Sequence, residues 1–378
     1  MKAILLAGGK GTRLRPLTIH TPKPIVPIFN RPFLRYQLDL LKQVPEIDEV
    51  VLSLNYQPRR IEEIFGDGGG SGLAIRYVVE ASPLGTAGAV RYAGESLQES
   101  VVVFNGDVLT GSDLTAVIAL HRERGAKATI LLTPVDNPTA YGLVETDERG
   151  NIRRFLEKPS ADEITCNTIN AGIYVLEPDT FDRIPKDTPW SIERSFFPSL
   201  IDRSETFVGY VDRSYWIDIG TPDKYMQVHR DIMDCRYLAP PFAKAPSSVW
   251  IAADARIEEG ATIVGPCFVD DGAVVKSGAR IGPYTVIGRQ CYIEEHAILE
   301  QAIVWANSRI CQEAAVYRSI VGRQCHVGRN VAIEGGVVLG DKSVVTDYSR
   351  LSRHADPPAL RASPASVGQS LTAESRRL

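Results

Sequence analysis

Between residues 251 and 299 an aliphatic side chain returns at every sixth position: Ile251, Ile257, Ile263, Val269, Val275, Ile281, Ile287, Ile293 and Leu299. Small residues stand two places earlier, at Ala255, Ala261, Cys267, Ala273, Ala279, Thr285, Cys291 and Ala297. A period of six matches neither the helix nor the alternating strand. It matches a chain that turns three times per coil and lays one short parallel strand on each side, the left-handed β-helix of hexapeptide repeats. The aliphatic residues then point inward and the small ones let the chain turn. The register slips at Ile303 to Ile310 and again before Val327, Ile333, Leu339 and Val345. Ile303-Val304 and Ile320-Val321 open similar segments 17 residues apart, one short of three hexapeptides, which predicts altered coils or a short insertion there.

The repeat leaves most of the 378 residues to another architecture, and that length exceeds what one core ordinarily holds. From residue 1 to about 237, short apolar runs alternate with amphipathic stretches, the pattern of an α/β domain. Strands are expected at 3–7, 50–54, 74–79, 101–104, 128–133 and 172–176, and helices at 32–43, 87–95, 114–124 and 222–235. Residues 238–248 gain proline, lose periodicity and read as a linker. The β-helix is expected over 249–349, and the Ser-, Arg-, Ala- and Pro-rich stretch 350–378 as a flexible tail.

A net charge of −4 offers no basic field for nucleic acid or anionic lipid, so a small-molecule partner is expected. The six cysteines form no C-x-x-C pair and read as small apolar residues of a reducing, cytoplasmic compartment. The apolar start at Met1 ends at Gly8, short of a signal-peptide core, and no run approaches the roughly 18 apolar residues of a membrane span.

Chemistry concentrates at the amino terminus. The buried strand candidate Ala3–Ala7 runs into Gly8, Gly9 and Gly11, glycines that let backbone N–H groups approach phosphate oxygens, and Arg13 and Lys23 follow as fixed cations. A dinucleotide fingerprint would need glycine where Leu14 stands, and a P-loop would need G-K-[ST] after its spacer; neither fits. Taken alone, the segment also reads as a glycine turn with solvated cations. Pro22-Lys23-Pro24 favours the phosphate reading.

With that second element, the chain resembles the nucleoside-diphosphate-sugar pyrophosphorylases, or sugar-1-phosphate nucleotidyltransferases, whose signature is similar to G-G-x-G-x-R-L-x-P-L-T followed by P-K-P. Every signature position is present between Gly8 and Pro24. The Pro-Lys-Pro variant resembles most the guanylyltransferases that act on mannose 1-phosphate. The resemblance implies a Rossmann-like mixed sheet for the first domain, with Leu6, Gly8, Gly9, Gly11, Thr12, Glu80, Gly85 and Asp107 around the nucleotide, and Arg13 and Lys23 as the catalytic cations. It also implies Mg²⁺ held by Asp107, at the end of the Val101–Phe104 strand, and by Asp218 in Trp-Ile-Asp-Ile-Gly-Thr-Pro. Each aspartate read singly could equally cap a turn or helix. By the same resemblance Gly142, Glu157 and Asn170 bind sugar hydroxyls, and Lys158 binds the sugar phosphate.

Glu80 bears on the choice of base. A carboxylate only accepts hydrogen bonds, which suits the N1–H and N2–H₂ donors of guanine, where relatives acting on thymine or uracil tend to carry Gln. The expected reaction joins GTP and mannose 1-phosphate into GDP-mannose and pyrophosphate. Alternatives are a glucose-1-phosphate enzyme using dTTP or UTP, a silent regulatory subunit that binds nucleotide sugar, and a bifunctional protein whose β-helix acylates through His296 or His326. The β-helix is expected to mediate homo-oligomerisation.

Overall fold

The computed structural model describes residues 1–68, 72–242 and 249–353. Its first domain runs β1 (Lys2–Leu6), β2 (Pro27–Ile28), β3 (Arg31–Pro32), α1 (Phe33–Leu41), β4 (Glu49–Leu54), α2 (Pro58–Phe65), β5 (Ala74–Val79), α3 (Gly85–Gly94), β6 (Val101–Asn105), β7 (Val108–Thr110) and α4 (Leu114–Glu123). It continues through β8 (Ala128–Pro134), β9 (Gly142–Thr146), β10 (Ile152–Glu157), β11 (Thr168–Leu176), α5 (Phe197–Asp202), β12 (Phe207–Val211), β13 (Trp216–Asp218) and α6 (Pro222–Met233). Nine of the strands form one sheet in the order β10-β9-β11-β6-β1-β4-β5, with β8 joined to β11 and β12 to β8.

β1 lies parallel to both β4 and β6, with Leu5 opposite Leu52 and Phe104. Because successive side chains leave a strand on opposite faces, β1 feeds two cores. Ala3 and Leu5 pack among Leu34, Leu38 and Leu41 of α1, while Ile4 packs among Ala87 and Val90 of α3 and Phe197 of α5. Both faces being covered, the strand reads as an unbroken apolar run. β11 runs antiparallel to β6, β8 and β9, which makes the sheet mixed.

The expected strand at 172–176 begins four residues earlier, at Thr168. Asn170-Ala171-Gly172 opens a register shift within β11, with Gly172 at φ +78°. Helix α2 was not anticipated, because only Ile61 and Phe65 of its eight residues are buried and the periodic signal is short.

From β14 (Val249–Ile251) to β31 (Arg350–Ser352) the strands form three six-stranded parallel sheets, each taking every third strand, consistent with the left-handed β-helix that the repeat predicts. Val269, Val275, Ile281, Ile287, Ile293 and Leu299 are completely enclosed. Ile251, in the first coil with a neighbour on one side only, is 40% exposed. Small residues such as Cys267, Ala273 and Ala297 are enclosed as well, so they fill the interior besides easing the turns. No insertion accounts for the register slip. Val286 pairs with Ile303 and Ile303 with Ile320, two successive offsets of 17, before Ile320 pairs with Val338 at 18. The missing residues come out of the corners at Gln301 and Arg318, both in left-handed backbone.

The domains share a core in which Phe268, Val286, Ile303, Trp305 and Ile320 of the β-helix meet Leu14, Phe29 and Tyr225. The Trp305 Nε1–H donates to the Tyr225 hydroxyl at 2.9 Å. Two segment expectations need correction. Within the proposed linker, Ala239 and Phe242 are buried in this shared core, with Phe242 5.4 Å from the Phe29 ring; residues 243–248 lie outside the described residues. Of the expected tail, Arg350–Ser352 is a strand of the β-helix that pairs with Ala332–Glu334; residues 354–378 lie outside the described residues. Among the described residues no helix is long and apolar enough to cross a membrane.

Candidate active site

A cleft of about 560 Å³ opens at the carboxyl ends of the parallel strands, where open α/β sheets bind ligands. β1 delivers Leu6 and then Gly8, Gly9 and Lys10; β5 delivers Glu80; β6 delivers Asn105, Gly106 and Asp107. The strand ends pack so closely that a side chain on Gly106 would place Cβ 2.2 Å from the Leu6 carbonyl oxygen. A Cβ on Gly9 would meet nothing within 4 Å, so that backbone faces open space. Gly11 sits at φ +60° and its carbonyl accepts from the Thr18 hydroxyl at 2.7 Å, which closes the loop back on itself.

Asp107 is the centre of the charge arrangement. The Lys23 ammonium lies 3.1 Å from its carboxylate and the Arg13 guanidinium 4.0 Å away. Burial works against ionisation at Asp107, but Lys23 and Arg13 outweigh it and hold the carboxyl below its usual range. Burial also lowers Lys23, which is 11% exposed, and the Asp107 charge resists that shift.

Asp218 reaches the same place from β13. It pairs with Val108 across the short β7–β13 ribbon, and the Ile219 N–H donates to the Asp107 carbonyl at 2.8 Å. Arg13 spans the gap: its guanidinium packs on Gly220, where a Cβ would come within 2.9 Å of it. The Asp218 carboxylate accepts from the Lys224 ammonium and, at 3.1 Å, from the Tyr141 hydroxyl. Lys224 also donates to Tyr141. Partial burial lowers the Lys224 ammonium, and the nearby Arg13 and Lys23 push it further down.

The remaining predicted residues form a second group beside the cleft. Gly142 is required to be small, since a Cβ there would stand 2.8 Å from the Phe155 ring and 3.2 Å from the Glu157 carboxylate. The Glu157 carboxyl is raised by burial and by the neighbouring Glu193, which itself lines the cleft. Asn170 donates to the Tyr174 hydroxyl at 3.0 Å and accepts from the Gly172 N–H at 2.8 Å. That tyrosine also accepts from Asn105 at 3.4 Å, which ties Asn170 to the cleft wall. Lys158 is exposed at φ +54°, with its backbone N–H on the Tyr141 carbonyl at 2.9 Å.

Of the predicted nucleotide contacts, Leu6, Gly8, Gly9, Glu80, Gly85 and Asp107 line the cleft together with Lys23, whereas Gly11, Thr12 and Arg13 lie beyond its lining. Glu80 is less free than expected. One oxygen accepts from the Ser53 hydroxyl at 2.9 Å and the other from the Leu84 N–H at 3.0 Å, so the carboxylate organises the turn into α3. Sequence reasoning missed Lys224, Tyr141 and Glu193. Lys224 follows the Thr221 N-cap by three residues, a first-turn position where a lysine usually reads as solvated.

Comparison with known proteins agrees with this geometry. The nucleotidyl transferase family model matches residues 2–234, and a model described as the GMPPB C-terminal domain matches 263–355. The chain belongs to the nucleotidyl transferase family. This nucleotidyltransferase is 41% identical over 285 residues to mannose-1-phosphate guanylyltransferase of Mycobacterium tuberculosis, covering 75% of the chain and 77% of the relative. It is 36% identical over 354 residues to mannose-1-phosphate guanylyltransferase 1 of Arabidopsis thaliana, covering 92% and 93%. Among solved structures, HddC of Yersinia pseudotuberculosis complexed with GMP-PN superposes with a TM-score of 0.53 at 28% identity, covering 61% of the nucleotidyltransferase and 99% of HddC.

Proposed function

We propose that this nucleotidyltransferase joins GTP and mannose 1-phosphate into GDP-mannose and pyrophosphate. The observation that carries the reading is that Asp107, in the wall of a glycine-lined cleft, holds Lys23 and Arg13, while β13, bonded to it through the Ile219 N–H and packed against Arg13 at Gly220, brings up Asp218 with Lys224. A phosphate oxygen of the sugar attacks the α-phosphorus as the bond to the bridging oxygen breaks and pyrophosphate leaves. The nucleophile is already ionised near neutral pH, so the protein's task is positioning and charge neutralisation.

Arg13 and Lys23 take up charge on the departing phosphates, and the backbone N–H groups of Gly8 and Gly9, both in the cleft lining, donate to them. The hard oxygen donors of Asp107 and Asp218 suit Mg²⁺, which prefers one or two carboxylates plus substrate phosphates and would screen the two reacting phosphates from each other. Gly142, Glu157 and Asn170 form the hydroxyl-binding side, where Glu193 joins Glu157 as an acceptor, and Lys158 meets the sugar phosphate. Glu80 shapes the base pocket through Leu84, and each of its oxygens keeps acceptor capacity for a guanine donor.

The test is pyrophosphate release across GTP, ATP, UTP, CTP and dTTP, each with mannose 1-phosphate and glucose 1-phosphate. The reading requires the GTP and mannose 1-phosphate pair to give the highest kcat/KM. Preference for dTTP or UTP with glucose 1-phosphate would overturn it, as would nucleotide-sugar binding without turnover.

A further inference from the structure

A second cavity, of about 370 Å³, lies where the first domain meets the β-helix. His20 and Arg60 line it from one side, Arg323, Asp341 and Lys342 from the other. The corner residues Asn307 and Gln324 complete the β-helix wall; with Lys342 they occupy left-handed positions at the same corner of three successive coils. Three basic side chains, Arg60, Arg323 and Lys342, thus face one carboxylate. That carboxylate is already engaged, since Asp341 accepts from the Arg323 backbone N–H at 2.9 Å and from the Thr21 hydroxyl at 3.4 Å.

Arg323 is built in rather than solvated. Its guanidinium stacks on the Trp305 ring with 4.9 Å to the centroid and donates to the Thr21 hydroxyl at 2.6 Å. Burial lowers this guanidinium from its usual range, the Asp341 charge resists that shift, and the charge of Arg60 adds to it, so the two guanidinium groups repel each other across the cavity. A doubly charged oxyanion would relieve that repulsion and use the arginine fork, whose geometry fits phosphate.

The cavity adjoins the segment that carries the active-site cations. Thr21 stands two residues before Lys23, Thr18 closes the loop on Gly11, and Pro16 packs on the last coils, where a Cβ at Gly340 would lie 3.1 Å from it. We propose that this cavity binds a small phosphorylated metabolite, whose phosphate bridges Arg60, Arg323 and Lys342 and thereby tunes nucleotidyl transfer through residues 11–23. The binding half stands independently of the proposed substrates; the regulatory half rests on the catalytic reading of Lys23.

Inorganic phosphate is the probe, titrated into the full-length chain by calorimetry with GTP saturating so that the active site is occupied. Wild type should bind it saturably, and Arg60→Ala/Lys342→Ala should lose that binding while keeping its basal rate of GDP-mannose formation. Phosphate should change wild-type kcat/KM by about fivefold or more, a common size for coupling between sites, and leave the double variant unchanged. Binding that is absent in wild type or persists in the double variant overturns the site. Binding that is lost without any difference in the rate response overturns the regulatory half. Because calorimetry needs no turnover, a chain inactive toward mannose 1-phosphate would still decide the binding half.

Discussion

Lys23 and Lys224 are two cations held in different ways. Lys23 is enclosed against Asp107, with little room to answer any other charge unless a phosphate enters the cleft. Lys23→Ala is expected to abolish turnover while the circular dichroism spectrum stays that of wild type, and near-normal activity would refute its role. Lys224 holds Asp218 in place alongside Tyr141. Lys224→Met should lower kcat/KM by about 100-fold, the size seen when one preorganised charge contact is removed, and Lys224→Arg should recover part of it. Steady-state kinetics on both variants check this. Nothing in the letters Thr-Pro-Asp-Lys distinguishes this lysine from an ordinary helix-surface residue. Its role comes from β13, which lays Asp218 beside Val108 and within reach of Tyr141, the residue just before β9. Lys23 was legible because glycines and prolines fix the backbone around it, and such constraints are written locally in the sequence.

Elements carry the site into position. The β1–β6 pair allows no side chain at residue 106, so Gly106→Ala should force the strand ends apart, costing about 1–3 kcal/mol in urea unfolding and displacing Asp107. Helix α6 presents a different constraint. His229 accepts from the Phe29 N–H at 3.1 Å through Nε2 and donates through Nδ1 to the Tyr225 carbonyl at 2.8 Å, an arrangement that requires the neutral ring. Burial lowers it to about 4 from 6.5, so below pH 6.5 the unfolded chain takes up a proton that the folded chain refuses. Stability present above pH 6.5 is lost as pH falls toward 4, by roughly 3 kcal/mol from this group. His229→Gln, which donates and accepts but does not titrate, should flatten the pH dependence of unfolding across that window; an unchanged slope would contradict the assignment. The strongly periodic elements were legible because burial on one or two faces imprints their period. α2 buries too little for such an imprint, β9 and β10 are buried over only part of their length, and the Asn170–Gly172 irregularity depends on pairing with β8.

At the scale of the molecule, the β-helix and the α/β domain are joined by an apolar core rather than by a free tether. Trp305 lies at its centre, buried to 3% exposure, bonded to Tyr225 and stacked under Arg323. Trp305→Ala should cost about 3–5 kcal/mol and lower the thermal midpoint of the whole chain in one transition. Two separate transitions, one unaffected, would show that the domains unfold independently. The repeat itself could be read from the sequence coil by coil, because every sixth residue meets the same interior. The shared core could not, since Phe29, Tyr225 and Trp305 come from three parts of the chain with no common period.

The central claim is that Asp107 and Asp218, with their three attendant cations, surround one metal-bound triphosphate. Anomalous diffraction from crystals grown with Mn²⁺, a non-hydrolysable GTP analogue and mannose 1-phosphate measures this directly. The account predicts a Mn²⁺ peak coordinated by both aspartates, with Lys23 and Arg13 on the phosphates. A nucleotide bound with its phosphates away from Lys23, or a metal that touches neither aspartate, would contradict it.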